Sequence, residues 1–170
     1  MATHSFNCTC DYYRWIHELR NDLCTAKLKF KHFTLRSTNV EEIYDGIDKL
    51  FHDERNSVYP LYENVAETDK QEFYNNLKTF KCGIDKHIRS MRTVIARSRR
   101  EFEVILVFLN DEELSLKYDN ILGNIVKDFD RYVWLFGTLL SIIQEKFQEY
   151  LSFYNETREK FRNFSVKSNV

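Results

Sequence analysis

The chain has 170 residues, 43 % of them hydrophobic and 15 % aromatic, and a formal net charge of -1. That balance excludes a disordered chain, which combines low hydrophobicity with high net charge, and it argues against a nucleic-acid-binding domain, which is usually basic overall. Four glycines and one proline leave so few turn-formers that most of the length must lie in continuous elements, and the apolar spacing makes those elements helices.

The expected fold is all-α: an antiparallel helical bundle of four main helices, two of them long and either unbroken or kinked into five or six segments. One domain is expected over 1–170, with a flexible tail at 1–10 and a frayed end at 165–170. The first helix is predicted from about Asp11 to Leu35, where Tyr12, Ile16, Leu19, Leu23, Ala26, Phe30 and Phe33 recur at steps of four and three, a heptad seam. A second is predicted to open at Thr38, because Glu41 stands three residues on in a capping box, and to end near Glu54 ahead of Pro60. Its core face would be Val40, Ile43, Tyr44, Ile47, Leu50 and Phe51.

A short helical turn is expected around Leu61, Tyr62 and Val65. The third helix is predicted from Thr68 along Phe73, Leu77, Phe80, Ile84, Ile88, Met91, Ile95, Ser98, Phe102, Ile105 and Leu109, with one stutter in the heptad at Ile84 to Ile88. Asn110 to Glu113 then read as a corner and a cap. The fourth helix follows Tyr118, Leu122, Ile125, Phe129, Tyr132, Phe136, Leu140, Ile143, Phe147, Tyr150, Tyr154 and Phe161, with Gly83, Gly123 and Gly137 as possible breaks in the two long runs. Residues 132–143 are apolar almost all round, which predicts a segment surrounded by other helices or by a partner, and Trp15 and Trp134 read as core aromatics.

The small net charge hides segregation. Residues 1–36 carry a net +3, 37–77 a net -7, 78–100 a net +7 and 101–150 a net -6. The 100° step of a helix places Lys78, Lys86, Arg89, Arg97 and Arg100 opposite the third seam with Lys81, Arg92 and Arg99 at its flank. These eight residues are the candidate surface for an anionic partner. The alternative is an intramolecular match, in which this cationic face neutralises the acidic second and fourth helices.

Motifs for chemistry are sparse. The glycines are isolated, so phosphate-cradling loops are absent, as are the Gly-x-Ser-x-Gly elbow and His-Glu-x-x-His zinc helices. Glu-x-x-His pairs of di-iron bundles are missing too. Cys82 lies between Lys78 and Lys86, where cations favour a thiolate, but no histidine is placed by sequence to act as its base. The row Glu41, Asp45, Asp48 ending near His52 reads as a solvated face. His4, Cys8 and Cys10 form a His-x-x-x-Cys-x-Cys cluster, but it sits in a terminal segment and lacks a fourth local ligand. No catalytic residue, metal or cofactor is therefore expected.

The N-terminus lacks the basic and apolar regions of a secretory signal, and Tyr132 to Ile143 falls short of the roughly twenty apolar residues that cross a bilayer. A cytoplasmic or otherwise intracellular protein with free thiols is expected. The leading reading is a non-catalytic interaction or adaptor module whose partner is another protein, one with an acidic surface, with homodimerisation open. The rivals are an elongated helical dimer on an anionic membrane surface and, with sequons at Asn7, Asn155 and Asn163, a secreted helical ligand.

Overall fold

A computed structural model describes residues 6–54 and 62–168, and they form four α-helices: α1 (Thr9–Asp53), α2 (Glu67–Leu109), α3 (Glu112–Lys117) and α4 (Asp119–Ser168). No strand occurs among the described residues, and the all-α bundle expected from the apolar spacing is the observed fold. Residues 1–5 of the expected tail, Leu61 of the expected helical turn, and 169–170 of the expected frayed end lie outside the described residues.

The predicted break after Leu35 is absent, since α1 runs on through Ser37, Thr38 and Asn39. The reason is tertiary. Ser37 is buried, as are Val40, Ile47, Phe51 and Glu54, and together with half-buried Tyr44 they extend the seam from Phe33 in steps of three and four. A serine on a seam position is small enough to pack there, and burial of the flanking apolar turns outweighs the local capping signal. Ile43, expected in the core, is instead exposed.

The residues before α1 are not all tail: the Phe6 ring packs 5.6 Å from Tyr12 and 5.1 Å from Trp15. Tyr62 and Val65 are buried and joined by a turn, with the Val65 amide donating to the Tyr62 carbonyl at 3.1 Å. The corner at Asn110 and Asp111 is as expected. Asp111 has extended backbone and accepts the Leu114 amide at 3.2 Å, capping α3. A break at Tyr118 then separates α3 from α4, whose Leu122 amide donates to the Tyr118 carbonyl at 2.9 Å.

The chain forms two compact units, 1–36 with 90–139 and 37–89 with 140–170. In the first, Leu19, Leu23 and Ala26 of α1, Ile105 of α2, and Leu122, Val126, Phe129 and Val133 of α4 form one buried cluster. Burying each large side chain in it contributes roughly 1.5–3 kcal/mol. A buried hydrogen bond between the Tyr12 hydroxyl and Ser115 Oγ ties α3 to α1. Gly137 lets α1 approach closely, because a Cβ there would lie 2.7 Å from Phe33 Cζ, and the Phe33 ring stands edge-on to Phe136 at 5.7 Å. Neither Gly123 nor Gly137 interrupts α4, nor Gly83 α2. Residues 132–143 are not surrounded on every side, for Trp134 is 70 % exposed.

In the second unit Phe73 packs against Phe153 and Phe161, and Tyr62 against Phe161. Beside them lies a buried polar group. Glu54 is 1 % exposed and its Oε2 accepts from the Tyr154 hydroxyl at 2.9 Å, while Arg158 donates to the hydroxyls of Tyr62 at 2.9 Å and Tyr154 at 3.1 Å. Among the described residues Glu54 Oε1 has no hydrogen-bond partner. Burial pushes the Glu54 carboxyl above its ordinary value of 4.5, and the Tyr154 hydrogen bond and the Arg158 charge offset this only in part.

The folded chain therefore keeps this proton to higher pH than the unfolded chain, and stability falls as pH rises from 4.5 through the raised value, then levels. Glu54→Gln removes the penalty. Denaturant titrations should find the variant more stable than wild type at pH 7, with the gap closing towards pH 4; a less stable variant at pH 7 would show that Arg158 outweighs burial.

Candidate functional site

Of the eight cationic residues singled out on sequence, Lys78, Lys86, Arg89, Arg92, Arg97, Arg99 and Arg100 are exposed and Lys81 is buried. Lys78, Lys81, Lys86 and Arg89 belong to the second unit, and Arg92, Arg97, Arg99 and Arg100 to the first. Lys81 is not a surface residue. Its ammonium donates to Asp48 of α1 at 2.7 Å and to Asp85 of α2 at 2.9 Å, and lies 5.1 Å from the centre of the Tyr44 ring and 5.8 Å from that of Phe51. Burial alone would depress its pKa; the two carboxylates reverse this and hold it well above the ordinary value. Of the acidic row, Asp48 is likewise engaged, held below its ordinary value by the Lys81 hydrogen bond and 3.8 Å from His52.

In the first unit, Arg97 stacks over Tyr132 of α4, 5.1 Å from the ring centre. Arg99 instead edges a cleft of about 330 Å³ lined by Lys27, Phe30, Lys31, Thr34 and Leu35 of α1, Arg99 and Phe102 of α2, and Phe129 of α4. Helical spacing explains the set: Lys31 follows Lys27 by four residues, and Thr34 and Leu35 follow Lys31 by three and four, so they share a face, and Leu28, seven residues before Leu35, continues it. Both leucines are strongly exposed.

Aromatic rings make the floor, Phe129 standing 6.1 Å from Phe30 and 5.6 Å from Phe102. Thr34 donates its hydroxyl to the Phe30 carbonyl at 2.8 Å, which leaves the cleft lining almost wholly apolar. Lys27 Nζ lies 5.4 Å from the centre of the Phe102 ring. An apolar floor under three cations suits an occupant with both apolar groups and negative charge. Sequence reasoning found Arg99 but not Lys27 or Lys31, although their spacing beside Leu28 and Leu35 carries the signal.

Two other cavities differ in chemistry. One in the first unit, about 410 Å³, is edged by Glu18, Asp22 and Asp119, and one in the second, about 380 Å³, by Asp69, Glu72 and Lys160 beside Phe73, Phe153 and Phe161. At the start of α1, Cys8 and Cys10 come together with Asp11, while His4 lies outside the described residues. Cys82 is exposed. No helix among the described residues is long and apolar enough to cross a membrane.

The fold and the cleft together define an all-α bundle with an apolar, cation-edged groove between two helices. No protein-family model, curated protein or solved structure matches the chain.

Proposed function

We propose that the chain is a non-catalytic interaction module and that the α1–α2 cleft of its first unit receives an acidic amphipathic helix of another protein. The observation that supports this is the pairing of the ring floor with the Lys27, Lys31 and Arg99 rim. Leucine or phenylalanine side chains of the partner enter the floor, as in other helix-in-groove recognition. Glutamate or aspartate one turn away meets the rim through charge-assisted hydrogen bonds. Leu28 and Leu35 extend the apolar contact, a sensible use of exposed leucines side by side.

The test uses a labelled synthetic helical peptide with leucines at helical spacing flanked by glutamates, beside the same peptide with lysines for the glutamates. The chain should bind the first and not the second. Combining Lys27→Glu, Lys31→Glu and Arg99→Glu turns three partly exposed attractions into repulsions of about 1 kcal/mol each, so affinity should fall about a hundredfold with the fold retained by circular dichroism. Equal binding of both peptides, or an unaffected triple variant, removes the cleft as the site. Binding to vesicles rich in phosphatidylserine but not to the acidic peptide would favour a membrane-surface role instead.

A further inference from the structure

The segment before and into α1 reads Phe6-Asn-Cys8-Thr-Cys10-Asp11. From sequence it offers two thiols in a terminal stretch, with His4 as the third group and no fourth local ligand. The structure changes both points. One ligand atom from each of Cys8, Cys10 and Asp11 lies within 4.8 Å of the others, so Asp11 adds a donor that sequence reasoning did not count. The stretch is also tied down, because Phe6 packs on Tyr12 and Trp15 and the Cys8 carbonyl accepts the Tyr12 amide at 3.4 Å.

We propose that Cys8, Cys10 and Asp11 form a binding site for one zinc ion, held by two thiolates and one carboxylate with a water in the fourth position. Zinc takes sulfur at about 2.3 Å and carboxylate oxygen at about 2.0–2.2 Å, so a tetrahedral site needs its donors roughly 3.5–3.8 Å apart. Modest side-chain rotations from separations within 4.8 Å reach that. The carboxylate favours a borderline ion such as zinc over the purely soft copper(I), which prefers sulfur alone.

Electrostatics point the same way. Two thiolates and a carboxylate bring three negative charges together at the start of α1, where the partial positive charge of the helix N-terminus offsets them only in part and a dication would offset them further. Binding is a ligand exchange: both S–H bonds break, two S–Zn bonds and one O–Zn bond form, and two protons leave to buffer. No oxidation state changes.

The test is a titration of the reduced full chain with cobalt(II), a coloured substitute for zinc, followed by displacement with zinc(II). One equivalent should bind per monomeric chain, with a thiolate-to-cobalt charge-transfer band, release of about two protons per ion near neutral pH, and loss of the band when zinc is added. Cys24→Ser with Cys82→Ser should leave all of this unchanged. Cys8→Ser with Cys10→Ser should abolish the band, and Asp11→Asn should weaken binding at least about tenfold, with circular dichroism confirming that each variant stays helical. A band that survives loss of Cys8 and Cys10, one ion shared by two chains in sedimentation, or an Asp11→Asn variant of unchanged affinity overturns the three-donor site.

Discussion

Lys81→Glu should destabilise the chain by about 4–5 kcal/mol, an exceptional loss for one substitution and comparable to the whole stability of many domains. The side chain is 9 % exposed and its ammonium sits between Asp48 and Asp85. A carboxylate in its place would be buried beside two others, whose partial exposure offsets the repulsion only in part. The cation's contacts with the Tyr44 and Phe51 rings would vanish as well. Lys78→Glu, three residues earlier in sequence but exposed, should change stability by less than about 0.5 kcal/mol.

Lys81→Met separates charge from packing. It keeps the aliphatic stem and leaves Asp48 and Asp85, which at 42 % and 33 % exposure are hydrated again, so a loss of about 1–2 kcal/mol is expected. Acid titration gives a further reading. Because Lys81 holds Asp48 below its ordinary value of 3.8, the pair's contribution is present above that pH and disappears as pH falls through the depressed value. Urea denaturation of the three variants, with an acid series for wild type, measures all of this; a Lys81→Glu protein as stable as Lys78→Glu would mean the ammonium is not enclosed.

The same residue shows where the sequence was legible and where it was not. The period of three and four along α1, α2 and α4 reveals the helices and most of their buried positions, because a repeated apolar stripe has few other uses. The period alone does not say which residue occupies a seam position when that residue is polar. Ser37 and Lys81 both stand on the seam, whereas sequence reasoning leaves Ser37 between two helices, because of the capping signal at Thr38, and puts Lys81 at the flank of the third. Placing Lys81 on the stripe puts the extra step of four between Leu77 and Lys81, and Phe80 becomes a half-buried flank, packed against Phe153 at 5.4 Å.

The candidate cleft was half legible for a related reason. Arg99 stood out in a block of like charge on one helix, but a groove is made by two helices, and nothing local tells Lys27 and Lys31 of α1 that they will face Arg99 of α2. Trp134 errs in the opposite direction: surrounded in sequence by apolar neighbours, it nevertheless points outward. A run that is apolar on all sides has no periodicity with which to choose its inner face.

Phe129→Ala should cost about 3–5 kcal/mol, the range for truncating a fully buried phenylalanine, because it removes both buried area and the partner atoms of the surrounding rings. Phe129 has no exposed surface, belongs to the buried cluster of the first unit, and touches Phe30 and Phe102 from below. It is at once core and cleft floor. Phe129→Leu, which keeps much of the volume, should lose considerably less. Leu35→Ala, at a position 65 % exposed on the cleft wall, should alter stability by no more than about 0.5 kcal/mol.

These variants separate folding from recognition. Leu35→Ala should weaken the acidic peptide while the denaturation midpoint stays in place, and Phe129→Ala should lose midpoint and peptide together. If Leu35→Ala leaves peptide affinity untouched, the peptide does not lie along the α1 wall. The floor could then be no more than the underside of the core, since rings that must pack against one another beneath a bundle surface will line any gap above them whether or not a partner fills it.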